Sequence, residues 1–131
     1  MSDFGLTHVA LSVRDLDASA DFYERFAGMQ VVHRREGVLW LSDRTRPFVI
    51  VLMESENVSR LGPNAHLGIA CESREDVDQL CALAQEEGRE VQGPQDYGAP
   101  VGYWTIIRDP DGHSVEFSHG QDVGLAVEES R

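Results

Sequence analysis

The chain has 131 residues, of which 41% are hydrophobic, and this fits one domain or two small modules that share a core. Its formal net charge is −12, so it lacks the clustered positive charge by which proteins bind nucleic acids or anionic membranes. It has neither an apolar run of the ~20 residues that span a bilayer nor a secretory signal at its start, and we expect a cytoplasmic protein.

The first half of the chain predicts a strand, a helix and three further strands. Residues 7–13 alternate as the two faces of a strand do. Asp15 or Asp17 then caps a helix, which Gly28 ends. The three later strands are separated by Gly37 and by the polar segment SDRTR, and they cover residues 30–35, 38–42 and 47–54.

The second half repeats this order. AHLGIACES predicts a strand, REDVDQLCALAQEEG predicts a helix, and three strands follow in residues 89–93, 102–109 and 113–119. His8 and His66 occupy equivalent positions in the two halves. The pattern therefore predicts a β-α-β-β-β unit written twice, with module one at about 5–56 and module two at about 64–119.

The tail and the two cysteines carry less information. Residues 120–131 have little apolar periodicity, and we expect a short, frayed tail there. Cys71 and Cys81 each lie in an apolar stretch, and two cysteines make a disulfide framework improbable. We interpret them as small hydrophobic residues in a reducing compartment.

Strand alternation places three possible metal ligands, His8, His66 and Glu116, on faces that carry small side chains. The neighbours that share these faces are small except for Leu6, and they are Leu6, Ala10, Ser12, Gly68, Ala70, Ser114 and Ser118. Small side chains leave a cavity, and two imidazoles with one carboxylate bind a divalent metal while leaving coordination positions open. A metal would also balance the charge of a glutamate within a strand. Each residue alone is most simply an ordinary polar side chain, so their equivalent placement carries the hypothesis.

Other candidates have a structural alternative. Trp104 alternates with Ile106, so it is either a stacking wall for an aromatic substrate or ordinary core. Tyr97 lies in the Gly- and Pro-rich segment GPQDYGAPVG, where it is either a proton donor on a movable loop or a surface residue. We interpret His113 and His119 as turn or surface residues.

The segments THVALSVRDLDASADFYERFAGMQVV, AHLGIACES and DPDGHSVEF resemble the vicinal oxygen chelate superfamily. This superfamily includes glyoxalase I, extradiol dioxygenases, fosfomycin resistance proteins and bleomycin-binding proteins, and the resemblance covers about residues 5–119. It implies a single α+β domain, residues 1–131, whose paired modules form a cup-shaped mixed sheet. It also implies a metal held by His8, His66 and Glu116, and a homodimer whose sites are shared between chains.

Departures from the family pattern narrow the function. Val51 stands where glyoxalase I has a fourth ligand, and Ile106 where fosfomycin-modifying members have a tyrosine. Extradiol dioxygenases use the three ligands retained here, but their acid–base residues would fall near Val51, Tyr97 and Ile106, of which only Tyr97 matches loosely. The substrate pocket would be lined by Val51, Trp104 and Ile106.

The resemblance therefore predicts a metal-dependent enzyme, most similar to extradiol dioxygenases, that acts on a small, possibly aromatic substrate chelating through neighbouring oxygens. Fe(II) or Mn(II) fits the ligands best, and Zn or Ni is compatible with them. The alternatives are a protein that sequesters a ligand or an antibiotic without catalysis, and a glyoxalase-type lyase or isomerase.

Overall fold

The structure is a computed structural model that describes residues 4–131. The strands and helices follow one another along the chain, up to residue 119, in the order that the repeated pattern predicts. They are β1 (His8–Val13), α1 (Leu16–Ala27), β2 (Gln30–Arg35), β3 (Val38–Ser42), β4 (Val49–Glu54), β5 (Leu67–Ala70), α2 (Arg74–Glu86), β6 (Val91–Asp96), β7 (Tyr103–Arg108), β8 (Ser114–His119) and α3 (Val123–Glu129). The predicted α+β class with two β-α-β-β-β modules is confirmed.

Each module builds a four-stranded mixed sheet, in the order β1-β4-β3-β2 in the first and β5-β8-β7-β6 in the second. The pairs β1–β4 and β5–β8 are parallel, and the other pairs are antiparallel. Two compact units result: one ends at Arg60 and includes Pro110–Gly112, and the other comprises Leu61–Asp109 and His113–Arg131. Residues 1–3 of the predicted single domain lie outside the described residues.

In the first unit, α1 packs against one face of the sheet. The Asp15 carboxylate begins the helix by accepting hydrogen bonds from the backbone N–H groups of Asp17 and Ala18. Phe22 and Phe26 stack at 4.6 Å on the buried side of the helix. The sheet side chains on this face are also buried: Leu11, Val13, Leu39, Leu41, Ile50 and Leu52. The opposite face, which carries His8, is not covered by α1.

The second unit repeats this arrangement with α2. Ser73 caps the helix through its hydroxyl, which accepts the N–H of Asp76. Cys81 is buried on the helix face that packs on the sheet, and both cysteines are free thiols. Burial, aided by the charge of Asp76, raises the pKa of Cys71 to about 11. Its thiol therefore stays protonated and unreactive near neutral pH.

The expectation of a frayed tail is wrong for most of its length, because residues Val123–Glu129 form helix α3. The Asp122 carboxylate accepts the Leu125 N–H at the start of the helix, and the Ser130 hydroxyl donates to the Val127 carbonyl at its end. No residue of α3 is buried. Local capping therefore forms this helix without the buried apolar stripe that periodicity detects. No helix in residues 4–131 is long and apolar enough to cross a membrane.

His113 closes the turn as expected, but it is not a surface residue, because its side chain is fully buried. Its Nδ1 accepts the Leu61 N–H at 3.0 Å, and its backbone pairs with Asp109 across the turn. The imidazole thus satisfies a backbone donor from a distant part of the sequence, a contact that strand alternation does not report. His119 is partly buried, with Nδ1 3.3 Å from the Cys71 carbonyl oxygen.

Candidate metal centre

Glu116 lies at the middle of β8, which runs between β5 and β7 in the second unit. In register it pairs with Gly68 on one side and Ile106 on the other, so these three residues share a face. Gly68 leaves open space there, since a Cβ added to it would meet only the Gln121 Oε1 atom at 4.0 Å. Glu116 is nevertheless only 7% exposed, because its neighbouring strands flank it on both sides.

His66 precedes β5 instead of lying within it, and its ring has a defined orientation. Its Nδ1 is 2.8 Å from the Asn64 carbonyl oxygen. A carbonyl only accepts, so Nδ1 carries the proton and donates it. In the neutral ring Nε2 then holds a lone pair, and this atom lies 4.0 Å from the Glu116 Oε1 atom. Metal-binding histidines are commonly oriented in this way by a backbone carbonyl.

The Glu116 carboxylate accepts no hydrogen bond within residues 4–131, and the His66 Nε2 atom lies 4.0 Å from its Oε1 atom. A buried carboxylate without hydrogen bonds is costly unless another charge balances it. The donor set of one imidazole lone pair and one carboxylate therefore fits a divalent cation at this place.

His8 is the first residue of β1 in the first unit, and its side chain is exposed. Its Nδ1 lies 2.9 Å from the Thr7 hydroxyl oxygen, so Nε2 is the ring nitrogen left for a ligand. In register His8 pairs with Val49 on β4. The face of the sheet that α1 leaves open therefore carries this imidazole at one end.

The registers of the two sheets identify Val51 as the counterpart of Glu116. Ala10 lies two residues after His8 and pairs with Val51, just as Gly68 lies two residues after His66 and pairs with Glu116. Val51 is buried and carries no metal-binding atom. Of the four symmetry-related positions, three thus carry imidazole or carboxylate groups and one carries an apolar side chain.

Two aromatic rings lie on the same side of the second sheet as Glu116. Trp104 on β7 pairs with Ser118 on β8, two residues from the pair of Ile106 and Glu116. Trp104 is 5% exposed. Its indole N–H has no hydrogen-bond partner in residues 4–131. The ring of Tyr97 meets it edge to face at 5.3 Å, and Tyr97 itself is 62% exposed. The pair forms an aromatic wall with an unsatisfied donor.

The segment that carries Tyr97 is anchored at Asp96. This carboxylate accepts the Gly98 N–H at 2.9 Å and pairs with the Arg74 guanidinium at 2.8 Å. The hydrogen bond from the Gly98 N–H, and to a lesser extent that from Arg74, holds the pKa of Asp96 below its usual range. The Arg74 guanidinium also lies over the ring of Tyr103, whose hydroxyl donates to Asp78. The start of the loop is therefore held firmly, while its tip is exposed.

The structure thus brings His66 and Glu116 together, with Ile106 and Trp104 on the same face. His8 and Val51 belong to the other unit. Within residues 4–131 of one chain, no group of three or more His, Cys, Asp or Glu side chains is arranged to hold a metal ion. Sequence reasoning missed Asn64, because a backbone carbonyl that orients a ring leaves no signature in residue type.

Comparison with known proteins relates the chain to a family. The model of the Glyoxalase/Bleomycin resistance protein/Dioxygenase superfamily matches residues 5–117. An uncharacterised protein of Pseudomonas aeruginosa is 42% identical over 131 residues and covers 94% of each chain. A lactoylglutathione lyase of Neisseria meningitidis is 33% identical over 125 residues, covering 86% of this chain and 88% of the relative.

A solved structure shares the fold. It is that of the fosfomycin resistance protein FosX from Listeria monocytogenes, complexed with Mn(II) and sulfate. The TM-score is 0.75 and the sequence identity 19%, with 98% of each chain covered. At this identity the likeness concerns the fold alone.

Proposed function

Because the chain belongs to the Glyoxalase/Bleomycin resistance protein/Dioxygenase superfamily, we propose that it is a divalent-metal enzyme. The substrate would be a small molecule that chelates the metal through two neighbouring oxygen atoms. The proposed reaction resembles the extradiol cleavage of an aromatic diol. His8, His66 and Glu116 are the proposed ligands, with Fe(II) or Mn(II) preferred over Zn or Ni.

The observation that carries this proposal is Val51 at the register position of Glu116. Around an octahedral ion, a fourth protein ligand would leave room for the bidentate substrate alone. With an apolar residue at position 51, three protein ligands leave a further coordination position open for a second small reactant. When bound, a divalent metal supplies Lewis-acid polarisation of the substrate oxygens.

The chain's own residues would prepare the site. The Asn64 carbonyl fixes the His66 tautomer so that Nε2 faces the Glu116 carboxylate. Trp104 and Ile106 would exclude water beside the chelating oxygens and offer a flat apolar surface to an aromatic ring. Tyr97, exposed beside Trp104, is the proposed proton donor.

A glyoxalase-type lyase or isomerase is the second candidate, and a specific observation favours it. The Neisseria relative at 33% identity is named as a lactoylglutathione lyase. Such an enzyme would use the same three ligands on a substrate that chelates through a ketone and a hydroxyl. A protein that only sequesters a ligand is the third candidate.

An anaerobic titration of the Fe(II)-loaded protein with catechols tests the proposal. We expect a chelate absorption band, followed by a ring-cleavage product when oxygen is admitted. Turnover of the thiol adduct of methylglyoxal, without binding of any catechol, would replace the dioxygenase proposal by the lyase. Binding of catechols without any turnover would favour the sequestering role.

We also propose that the protein is a homodimer in which each metal site is completed between chains. One chain's described residues contain no cluster of three ligands, whereas two copies related by symmetry can combine His8 with His66 and Glu116. Large apolar side chains of the first unit are exposed and suit an interface: Phe4 and Leu6 just before β1, and Met53 on β4. Light scattering at micromolar concentration should give about twice the mass of one chain, and a monomer would reject this arrangement.

A further inference from the structure

A cavity of about 610 Å³ lies at the end of the first sheet where His8 begins β1. Apolar side chains and two arginines line it together with two hydroxyl groups: Thr7, Val32, Ser42, Arg44, Arg46, Pro47, Phe48 and Val49. Two of these residues connect it to the proposed metal ligand, since Val49 pairs with His8 and the Thr7 hydroxyl contacts the His8 ring. The cavity therefore adjoins the imidazole.

Arg44 adopts a backbone conformation that arginine rarely adopts. Its φ is +63°, in the left-handed region that costs a residue with a Cβ roughly 1–2 kcal/mol relative to glycine. The Ser42 hydroxyl accepts the Arg44 N–H at 2.9 Å and helps to hold this conformation. A glycine at this position would relieve the strain, so the arginine side chain is a candidate for a functional role.

The carboxylate closest in sequence is committed to the turn itself. Asp43 accepts hydrogen bonds from the Thr45 N–H at 2.9 Å and the Thr45 hydroxyl at 2.7 Å. Burial raises the pKa of Asp43, but these bonds and the charge of Arg46 outweigh burial and lower it. The turn thus carries two positive charges and one negative charge.

Neither Arg44 nor Arg46 forms an ion pair within the described part of the chain, whereas Arg25 and Arg74 each pair with an aspartate. The Arg46 guanidinium lies 5.9 Å from the centre of the Phe48 ring. In a chain of net charge −12, the overall field repels anions. Two guanidinium groups beside the single carboxylate of Asp43 give this turn a local excess of positive charge, which an anionic ligand would require.

We propose that this cavity binds the carboxylate of a small aromatic acid, so that the substrate of the metal site is a carboxylated diol. The inference rests on the proposed function, because it assigns the orientation of a substrate whose oxygens chelate the metal at His8. Guanidinium groups bind carboxylates through paired, charge-assisted hydrogen bonds. Val32, Phe48 and Val49 would pack against the ring to which the carboxylate is attached.

Calorimetry on the Mn(II)-loaded protein tests the inference with two diols of nearly the same shape, the anionic 3,4-dihydroxybenzoate and the neutral 3,4-dihydroxybenzamide. The acid should bind about tenfold more tightly than the amide, as expected for hydrogen bonds to a charged group. The double variant R44Q/R46Q should lose this preference. Arg34→Gln removes an exposed arginine from β2 of the same unit, and this variant should keep the preference for the acid.

Equal affinities for acid and amide in the wild type, or an unchanged preference in the double variant, would overturn the inference. Arg44→Gly checks that the loss does not come from unfolding. It removes the strained side chain, so its Tm should equal or exceed that of the wild type while the preference for the acid falls. A lower Tm would show that Arg44 is needed for folding and would remove the argument from strain.

Metal-free protein separates this inference from the proposed function. Benzoate lacks the diol, so its binding relative to benzamide reports the arginines alone. An Arg-dependent preference for benzoate, together with no chelation of any diol by the metal-loaded protein, would overturn the proposed function and support the carboxylate site. Chelation of both diols with equal affinity would support the proposed function and overturn the carboxylate site.

Discussion

The variant Glu116→Gln is expected to bind Mn(II) or Fe(II) at least 10–100-fold more weakly than the wild type, with no loss of stability in the metal-free protein. The carboxylate is buried and accepts no hydrogen bond within residues 4–131, so its charge contributes nothing favourable to folding by itself. Glutamine keeps the size and removes that charge. Titration calorimetry of metal-free protein and thermal unfolding measure the two effects.

Glu54→Gln is a matched control, because Glu54 is an exposed carboxylate at the end of β4 and its loss changes the net charge equally. It should leave metal affinity unchanged. Wild-type affinity in Glu116→Gln would show that Glu116 is not a ligand. A large fall in the Tm of the metal-free variant would instead assign Glu116 a structural role.

Replacing Gly102 by alanine should destabilise the second unit by about 3 kcal/mol, equivalent to a fall of roughly 10 °C in Tm. Gly102 has φ +85°, and a Cβ on it would lie 2.8 Å from the Gly120 carbonyl carbon and 3.0 Å from the Gln121 backbone nitrogen. These are backbone atoms at the end of β8, so they cannot rotate away. The loop that holds Tyr97 would have to move.

Gly98→Ala separates strain from collision. Gly98 lies in the same loop with φ +70°, but nothing lies within 4 Å of a Cβ placed there. Its substitution should cost only the ~1 kcal/mol of an alanine in the left-handed region. The difference between the two variants in denaturant unfolding measures the collision. An equal loss of unfolding free energy in the two variants would mean that the backbone at Gly120 can move to make room for the added methyl group.

The amino-acid sequence by itself determined the architecture. The change from strand to helix periodicity, repeated after His8 and after His66, specified both modules, because each module buries one face of its sheet under one helix. Strand alternation also separated the helix-covered face from the face that carries Glu116. The family pattern equated Val51 with Glu116, and in the registers Val51 pairs with Ala10 as Glu116 pairs with Gly68.

Only the tertiary structure decided the environment of each polar group. His113 follows a turn, so the sequence favours a turn or surface residue, yet its ring is fully buried and accepts the backbone N–H of Leu61. His66 acquires its tautomer from the carbonyl of Asn64, a group that every residue possesses. Such contacts depend on where the backbone passes, which residue type does not encode locally.

The same holds for the tail and for Arg44. Helix α3 forms through caps without burying a side chain, so a search for an apolar stripe could not find it. The left-handed backbone of Arg44 is imposed by the turn between β3 and β4, and within the sequence SDRTR this residue looks like any solvated arginine. Periodicity reports which faces are buried, whereas the partners of individual polar atoms are set by segments that meet only in the folded chain.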